Sequence, residues 1–111
     1  MPRLDHVAVE SPDPDACAGF YERYLDARIV RKEGHPVMAY VQQGAIAIHE
    51  ESGAGTHVAF RVSEAERAAL KRALDDAGIE NEERDHEIAV GLFFRDPDGR
   101  RLEAITYRGE A

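Results

Sequence analysis

The chain has 111 residues, a size typical of one domain that buries its own core without disulfides or a structural metal. Its 22 acidic and 14 basic residues give a formal charge of −8, which argues against nucleic acid and anionic membranes as partners. No apolar run reaches the ~20 residues of a membrane span, no leader-like segment opens the chain, and Cys17 is the only cysteine. We therefore expect a cytoplasmic protein without an internal disulfide or a cysteine-based zinc site.

The first half of the chain predicts a strand, a helix and three more strands. Residues 4–9 alternate as a half-buried strand does. Asp13 and Pro14 then provide the cap and the first position of a helix. Apolar side chains recur at helical spacing and predict one stripe: Phe20, Tyr21, Tyr24 and Leu25. The further strands are predicted at 27–31, 37–42 and 45–49, separated by glycine-containing turns.

The second half repeats this order of elements. The tripeptide His-Val-Ala occurs at residues 6–8 and again at 57–59, within a predicted strand over 56–62. A capping box over 63–66 opens a helix that ends near Gly78. Its predicted buried face consists of Ala69, Leu70, Ala73, Leu74 and Ala77. Strands are then predicted over 79–83, 88–94 and 101–107, the last two joined by the turn Asp96-Pro97-Asp98-Gly99.

Both halves therefore have the order βαβββ. We predict a single domain over residues 1–111, with a first module over 1–50, a short hinge over 51–55 and a second module over 56–111. Such a repeat places corresponding strands beside each other, so His6 and His57 occupy equivalent positions and point to the same face of the sheet.

Three residues are candidates for a metal site. His6 and His57 could instead be ordinary strand residues that bond to backbone groups. Glu103 lies between Leu102 and Ala104, where a carboxylate facing a core is costly unless it is paired or bound to a metal. The alternative places Glu103 on a solvent-exposed edge strand, paired with Arg101. Two imidazoles and a carboxylate suit iron, manganese, zinc, nickel or cobalt and leave coordination positions open.

Several stretches together resemble a known superfamily over nearly the whole chain. The Asp-Pro-Asp-Gly turn ahead of Leu102-Glu103 is the most specific of them. The matching stretches are residues 4–9, Phe20-Tyr21 with Tyr24-Leu25, residues 56–60 and residues 94–103. The sequence resembles the vicinal oxygen chelate superfamily, which includes glyoxalase I, extradiol dioxygenases, thiol transferases of fosfomycin resistance and bleomycin-binding proteins.

The resemblance implies an α+β fold in which two βαβββ modules form a cupped mixed sheet with the helices outside. It places His6, His57 and Glu103 at the metal-ligand positions and implies one divalent metal ion per site. Members of this length resemble homodimers in which first and second modules of different subunits pair. The sequence is compatible both with that exchange, which would take His6 from one subunit and His57 with Glu103 from the other, and with pairing inside one chain.

Departures from the family pattern narrow the chemistry. Glyoxalase I enzymes have a fourth ligand at a position that falls at or near Ala47, which cannot bind a metal. His49 shares the face of Ala47 and is a candidate base, although a solvated histidine at a strand end is the alternative. The acidic segment 82–87 argues against phosphonate binding. Four further side chains could reach the cavity or serve only in packing or at the surface: Tyr40, His86, Phe93 and Arg95.

We therefore expect a metal-dependent enzyme that chelates two adjacent oxygens of a small substrate. Isomerase or lyase chemistry, thiol transfer and ring-cleaving oxygenation all remain open. One alternative is a metal-free protein that sequesters a small molecule, as bleomycin-binding members do, although those generally lack the ligand triad. Another is a stress or regulatory protein that has kept the metal site without turnover.

Overall fold

A computed structural model describes residues 1–52 and 55–109. The chain divides into two compact units: Asp5–His57, called here the first unit, and Val58–Ala111 together with Met1–Leu4, called the second unit. The predicted hinge falls partly on residues 53 and 54, which lie outside the described residues. Each unit contains one helix and four strands in the predicted order.

The first unit has the element order βαβββ. Its strands align in the order β2-β3-β4-β1. The β1–β4 pair is parallel, whereas β2–β3 and β3–β4 are antiparallel. A helical crossover between β1 and the other strands permits the parallel pair. The elements are β1 (Arg3–Ser11), α1 (Pro14–Leu25), β2 (Arg28–Val30), β3 (Val37–Val41) and β4 (Gly44–Glu50).

Helix α1 begins as the sequence predicts. The Asp13 side chain accepts a hydrogen bond from the Ala16 N–H at 3.1 Å, and Pro14 is the first helical residue. The helix packs through Ala18, which is fully buried beside Ala39 and Ile48 of the strands. A small residue at the contact lets the helix backbone approach the strands closely.

The stripe predicted on α1 is only partly buried. Tyr21 packs against the core of the first unit. The other three side chains are mostly exposed: Phe20 at 59%, Tyr24 at 62% and Leu25 at 59%. Burial of Ala18 turns the face of Tyr21 inward, so Phe20 and Tyr24 point away from the strands, whereas Leu25 is exposed as the last residue of the helix. Helical spacing predicts which side chains lie near one another on the helix, but it does not determine which of them pack against the strands.

The second unit repeats the order of elements. Its strands align as β5-β8-β7-β6, and β8 is antiparallel to β7, which is antiparallel to β6. Strand β8 therefore lies between two neighbours and is not an edge strand. The elements are β5 (His57–Arg61), α2 (Glu64–Asp76), β6 (Asn81–Asp85), β7 (Ala89–Arg95) and β8 (Arg101–Tyr107).

Both ends of α2 match the prediction. Ser63 and Glu66 form the capping box, with Ser63 N–H donating to Glu66 Oε1 at 2.9 Å and Glu66 N–H donating to Ser63 Oγ at 3.1 Å. At the other end Gly78 has φ +71°, and the Ile79 N–H donates to the Leu74 carbonyl. Because this N–H caps the helix, β6 begins at Asn81 and not at Ile79.

The predicted buried face of α2 is too wide. Leu74 is buried and Leu70 packs against the same core, which also contains Leu92 and Ala104. The three alanines of the predicted face are exposed: Ala69, Ala73 and Ala77. Two leucines one turn apart are enough to fill the contact with β7 and β8. Among the described residues, neither helix is long and apolar enough to cross a bilayer.

Candidate metal centre

His6 and His57 lie together in the first unit. Their ring centroids are 5.7 Å apart, with the rings at 72° to each other. The strand alternation places His6 on the face opposite α1, because Val9 packs on the helix side. His57 is 9% exposed. The two imidazoles of the first unit are therefore close enough to serve one site.

Asp5 contacts the first of these histidines. The His6 Nδ1 atom lies 2.7 Å from Asp5 Oδ2, and both side chains are about nine-tenths buried, with exposures of 10% and 9%. An ionised carboxylate can only accept, so His6 Nδ1–H donates and Nε2 is the nitrogen suited to a metal. A carboxylate behind a metal-binding imidazole also fixes the orientation of the ring.

Sequence reasoning missed Asp5, although the repeat contains a signal for it. The two copies of His-Val-Ala are preceded by different residues, Asp5 in the first module and Thr56 in the second. A carboxylate present in only one copy is not required by the strand pattern. That difference singles out Asp5 as a side chain that the strand pattern does not explain.

Glu103 is buried in the second unit on the face opposite α2. Ala104 packs with the helix, so the neighbouring Glu103 points the other way, and it is only 2% exposed. The alternative of a solvent-facing Glu103 on an edge strand is therefore wrong. The guanidinium of Arg101, the partner in that alternative, lies over the Phe93 ring, 4.4 Å from the centroid.

A buried carboxylate needs compensating partners, and His86 is one of them. His86 Nε2 lies 3.3 Å from Glu103 Oε2. The imidazole also lies nearly perpendicular to the Phe93 ring, with 5.8 Å between the ring centroids. The sequence indicates His86 only as one of four side chains that could reach the cavity, because nothing local links it to Glu103.

The positions of Ala47 and His49 follow from the pairing of β1 with β4. Ala47 is 3% exposed and pairs with Ala8 and Met38, so aliphatic neighbours surround the place of the fourth glyoxalase ligand. His49 shares the face of Ala47 but pairs with Glu10, whereas His6 pairs with Ala45. Four residues of strand separate His49 from the level of His6, about 13 Å.

Each unit thus has imidazole or carboxylate donors on the face opposite its helix: His6 and His57 in the first unit, and Glu103 in the second. The chain is therefore a small α+β protein with candidate metal ligands. The donor set of two histidines and one glutamate fits a divalent transition metal. The buried Glu103 is consistent with this set, because a withdrawn carboxylate is stabilised by bound cationic charge.

Comparison with known proteins identifies the family. The model of the Glyoxalase/Bleomycin resistance protein/Dioxygenase superfamily matches residues 3–104. The chain belongs to this superfamily, also called the vicinal oxygen chelate superfamily. The predicted fold class of two βαβββ modules is therefore confirmed.

Solved structures show the same fold. Methylmalonyl-CoA epimerase from Mycobacterium tuberculosis has a TM-score of 0.77 at 20% identity, over 95% of this chain and 87% of that one. A variant of the Streptomyces coelicolor epimerase, in complex with 2-nitronate-propionyl-CoA, has a TM-score of 0.74 at 19% identity, over 98% and 99%. A catechol 2,3-dioxygenase has 0.75 at 16% identity, over 95% of this chain but 40% of that one. These neighbours are named as enzymes of different reaction classes.

Proposed function

We propose that this protein is a metal-dependent enzyme in which His6, His57 and Glu103 bind one divalent ion and the ion chelates adjacent oxygens of a small substrate. The supporting observation is that all three side chains are largely withdrawn from solvent, on the face of their own unit opposite its helix. Iron, manganese, zinc, nickel and cobalt all fit this donor set.

Three protein donors leave coordination positions for substrate oxygens. When bound, the metal supplies Lewis-acid stabilisation of negative charge that develops on those oxygens. Asp5 keeps the His6 ring in the tautomer that presents Nε2. Lyase or isomerase chemistry, thiol transfer and ring-cleaving oxygenation remain the candidate reactions.

Metal analysis tests the proposal directly. Purified wild type is stripped with a chelator, refilled separately with each of the five metals and measured by elemental analysis, beside His57→Ala and Glu103→Gln. We expect about one metal per wild-type chain and loss of metal from both variants. His35→Ala, which removes an imidazole outside the proposed ligand set, is the matched control and should keep the metal.

Folding must be checked in the same samples by circular dichroism and thermal unfolding. A folded wild type that takes up none of the five metals would overturn the enzyme proposal. The leading proposal would then be a metal-free protein that sequesters a small molecule. Metal uptake without turnover of any hemithioacetal, epoxide or catechol substrate would instead favour a retained site without catalysis.

The role of His49 as a proton-transfer residue remains a prediction. Its separation from the level of His6 means that only an extended substrate could contact both the metal and His49. If His49 acts as the base, His49→Ala should lower kcat at least ~10² fold and leave metal affinity unchanged. Equal kcat in the variant would remove His49 from the mechanism.

We also propose that two copies of the chain form a homodimer. The exposed apolar side chains on α1, which include Phe20 and Tyr24 with ring centroids 4.9 Å apart, support an apolar contact. Light scattering should give twice the chain mass of 12.3 kDa. Replacing Phe20 and Tyr24 by glutamate should yield monomers, and an unchanged mass would place the contact elsewhere.

A further inference from the structure

Gly91 lies beneath the carboxylate of Glu103. It is buried in β7, on the same face as Phe93, which pairs directly with Glu103 in β8. A Cβ atom at residue 91 would overlap Glu103 Oε2 and would lie 3.1 Å from both Glu103 Cδ and His86 Nε2. The carboxylate therefore occupies the space that any other side chain at residue 91 would fill.

The backbone does not explain this glycine. The φ angle of Gly91 lies outside the left-handed region that favours glycine, so an alanine could adopt the same backbone. The turn Asp96-Pro97-Asp98-Gly99 differs, because Gly99 has φ +86° and is needed there for its conformation. At residue 91, by contrast, a side chain would meet the buried carboxylate of Glu103 and the His86 ring.

His86 contacts the same oxygen of the carboxylate, with Nε2 3.3 Å from Glu103 Oε2, and the backbone around it is hydrogen-bonded. The His86 N–H donates to the Ala89 carbonyl at 2.8 Å. Arg108 donates through Nε to the Glu87 carbonyl at 2.6 Å and also pairs with Asp85. These bonds hold the chain on both sides of His86, where its imidazole lies between Glu103 and Phe93.

We propose that Gly91 and His86 form a seat for the Glu103 carboxylate, in which His86 engages one oxygen and the missing side chain at residue 91 admits the group, so that the other oxygen is presented to the metal. This inference rests on the proposed function and makes both residues positioning residues. Neither needs to contact substrate.

A double-mutant cycle on the metal-free protein tests the seat itself. Gly91→Ala should lower Tm by roughly 5 °C or more, because the new methyl group displaces a buried carboxylate. In a Glu103→Ala background the same substitution should change Tm little, since the obstructing atoms are gone. Equal shifts in both backgrounds would overturn the seat.

Measurements of metal affinity test whether the seat positions Glu103 for the metal. With Co²⁺ alone as the probe, chelator competition and the visible spectrum should show Gly91→Ala and His86→Ala binding roughly 10–100 fold more weakly than wild type, with altered bands. His86→Gln, whose amide can still donate to Glu103, should recover part of the affinity. The control Gly19→Ala sits where nothing lies within 4 Å of the new methyl group, and its affinity should not change.

The outcomes separate the two proposals. A wild type that binds Co²⁺, with variants of unchanged affinity and spectrum, would overturn the positioning role and leave the proposed function standing. A wild type that binds no metal would overturn the proposed function, and the cycle would still report whether the seat exists. A non-additive cycle with weakened Co²⁺ binding in both variants is the result we expect.

Discussion

At the scale of single residues, a substitution of Asp5 tests whether its carboxylate fixes the tautomer and orientation of the His6 ring. Asp5→Asn keeps the size of the side chain but can present an amide N–H to Nδ1, which favours the wrong tautomer of the ring. We expect metal affinity to fall roughly 10–100 fold with little change in the fold. Chelator competition measures the affinity, and circular dichroism measures the fold.

Asp15→Asn is the matched control for this substitution. Asp15 is largely exposed and bonds to Arg31 at the surface, so its loss should leave metal affinity as in wild type. If Asp5→Asn binds metal as tightly as Asp15→Asn, the carboxylate behind His6 has no orienting role.

At the scale of elements, the capping box of α2 links stability to pH. The hydrogen bond from the Ser63 N–H, followed by contact with the N-terminal amine, holds the pKa of Glu66 below its ordinary value. A lowered pKa means stability that is present above the ordinary pKa of the carboxyl and is lost as pH falls through the folded value. Glu66→Gln should therefore flatten the acid limb of a Tm-against-pH curve.

The other half of the capping box gives a prediction at neutral pH. Ser63→Ala removes the oxygen that accepts from the Glu66 N–H and should cost about 1 kcal/mol of unfolding free energy. Urea unfolding measures it. Ser63→Thr keeps an oxygen at the cap and should lie closer to wild type; an alanine variant as stable as wild type would show that the cap contributes nothing.

At the scale of the whole molecule, metal binding and folding should be coupled. A ligand that binds only the folded state, at about a hundred times its Kd, adds about 2.7 kcal/mol to the free energy of unfolding. We expect Tm to rise when the stripped protein is refilled and to return after chelation. Glu103→Gln should show no rise, and a rise in that variant equal to wild type would place the metal elsewhere.

Much of the fold could be predicted because its signals are local. Alternating apolar residues, the caps at Asp13 and Ser63 and the turn before Glu103 each depend on a few neighbouring residues. The duplicated His-Val-Ala supplied the internal repeat, and with it two of the three candidate ligands. That the two modules form a single domain remains a prediction.

The sequence by itself determined the two βαβββ modules, their helix starts and the chemical character of His6, His57 and Glu103, because periodicity and caps act within a few residues. Only the tertiary structure decided that Tyr21 and not Phe20 packs in the core, and that Gly91 and His86 meet Glu103. Those contacts depend on strand register and on how a helix rotates against its sheet, which are decided by packing among residues distant in sequence.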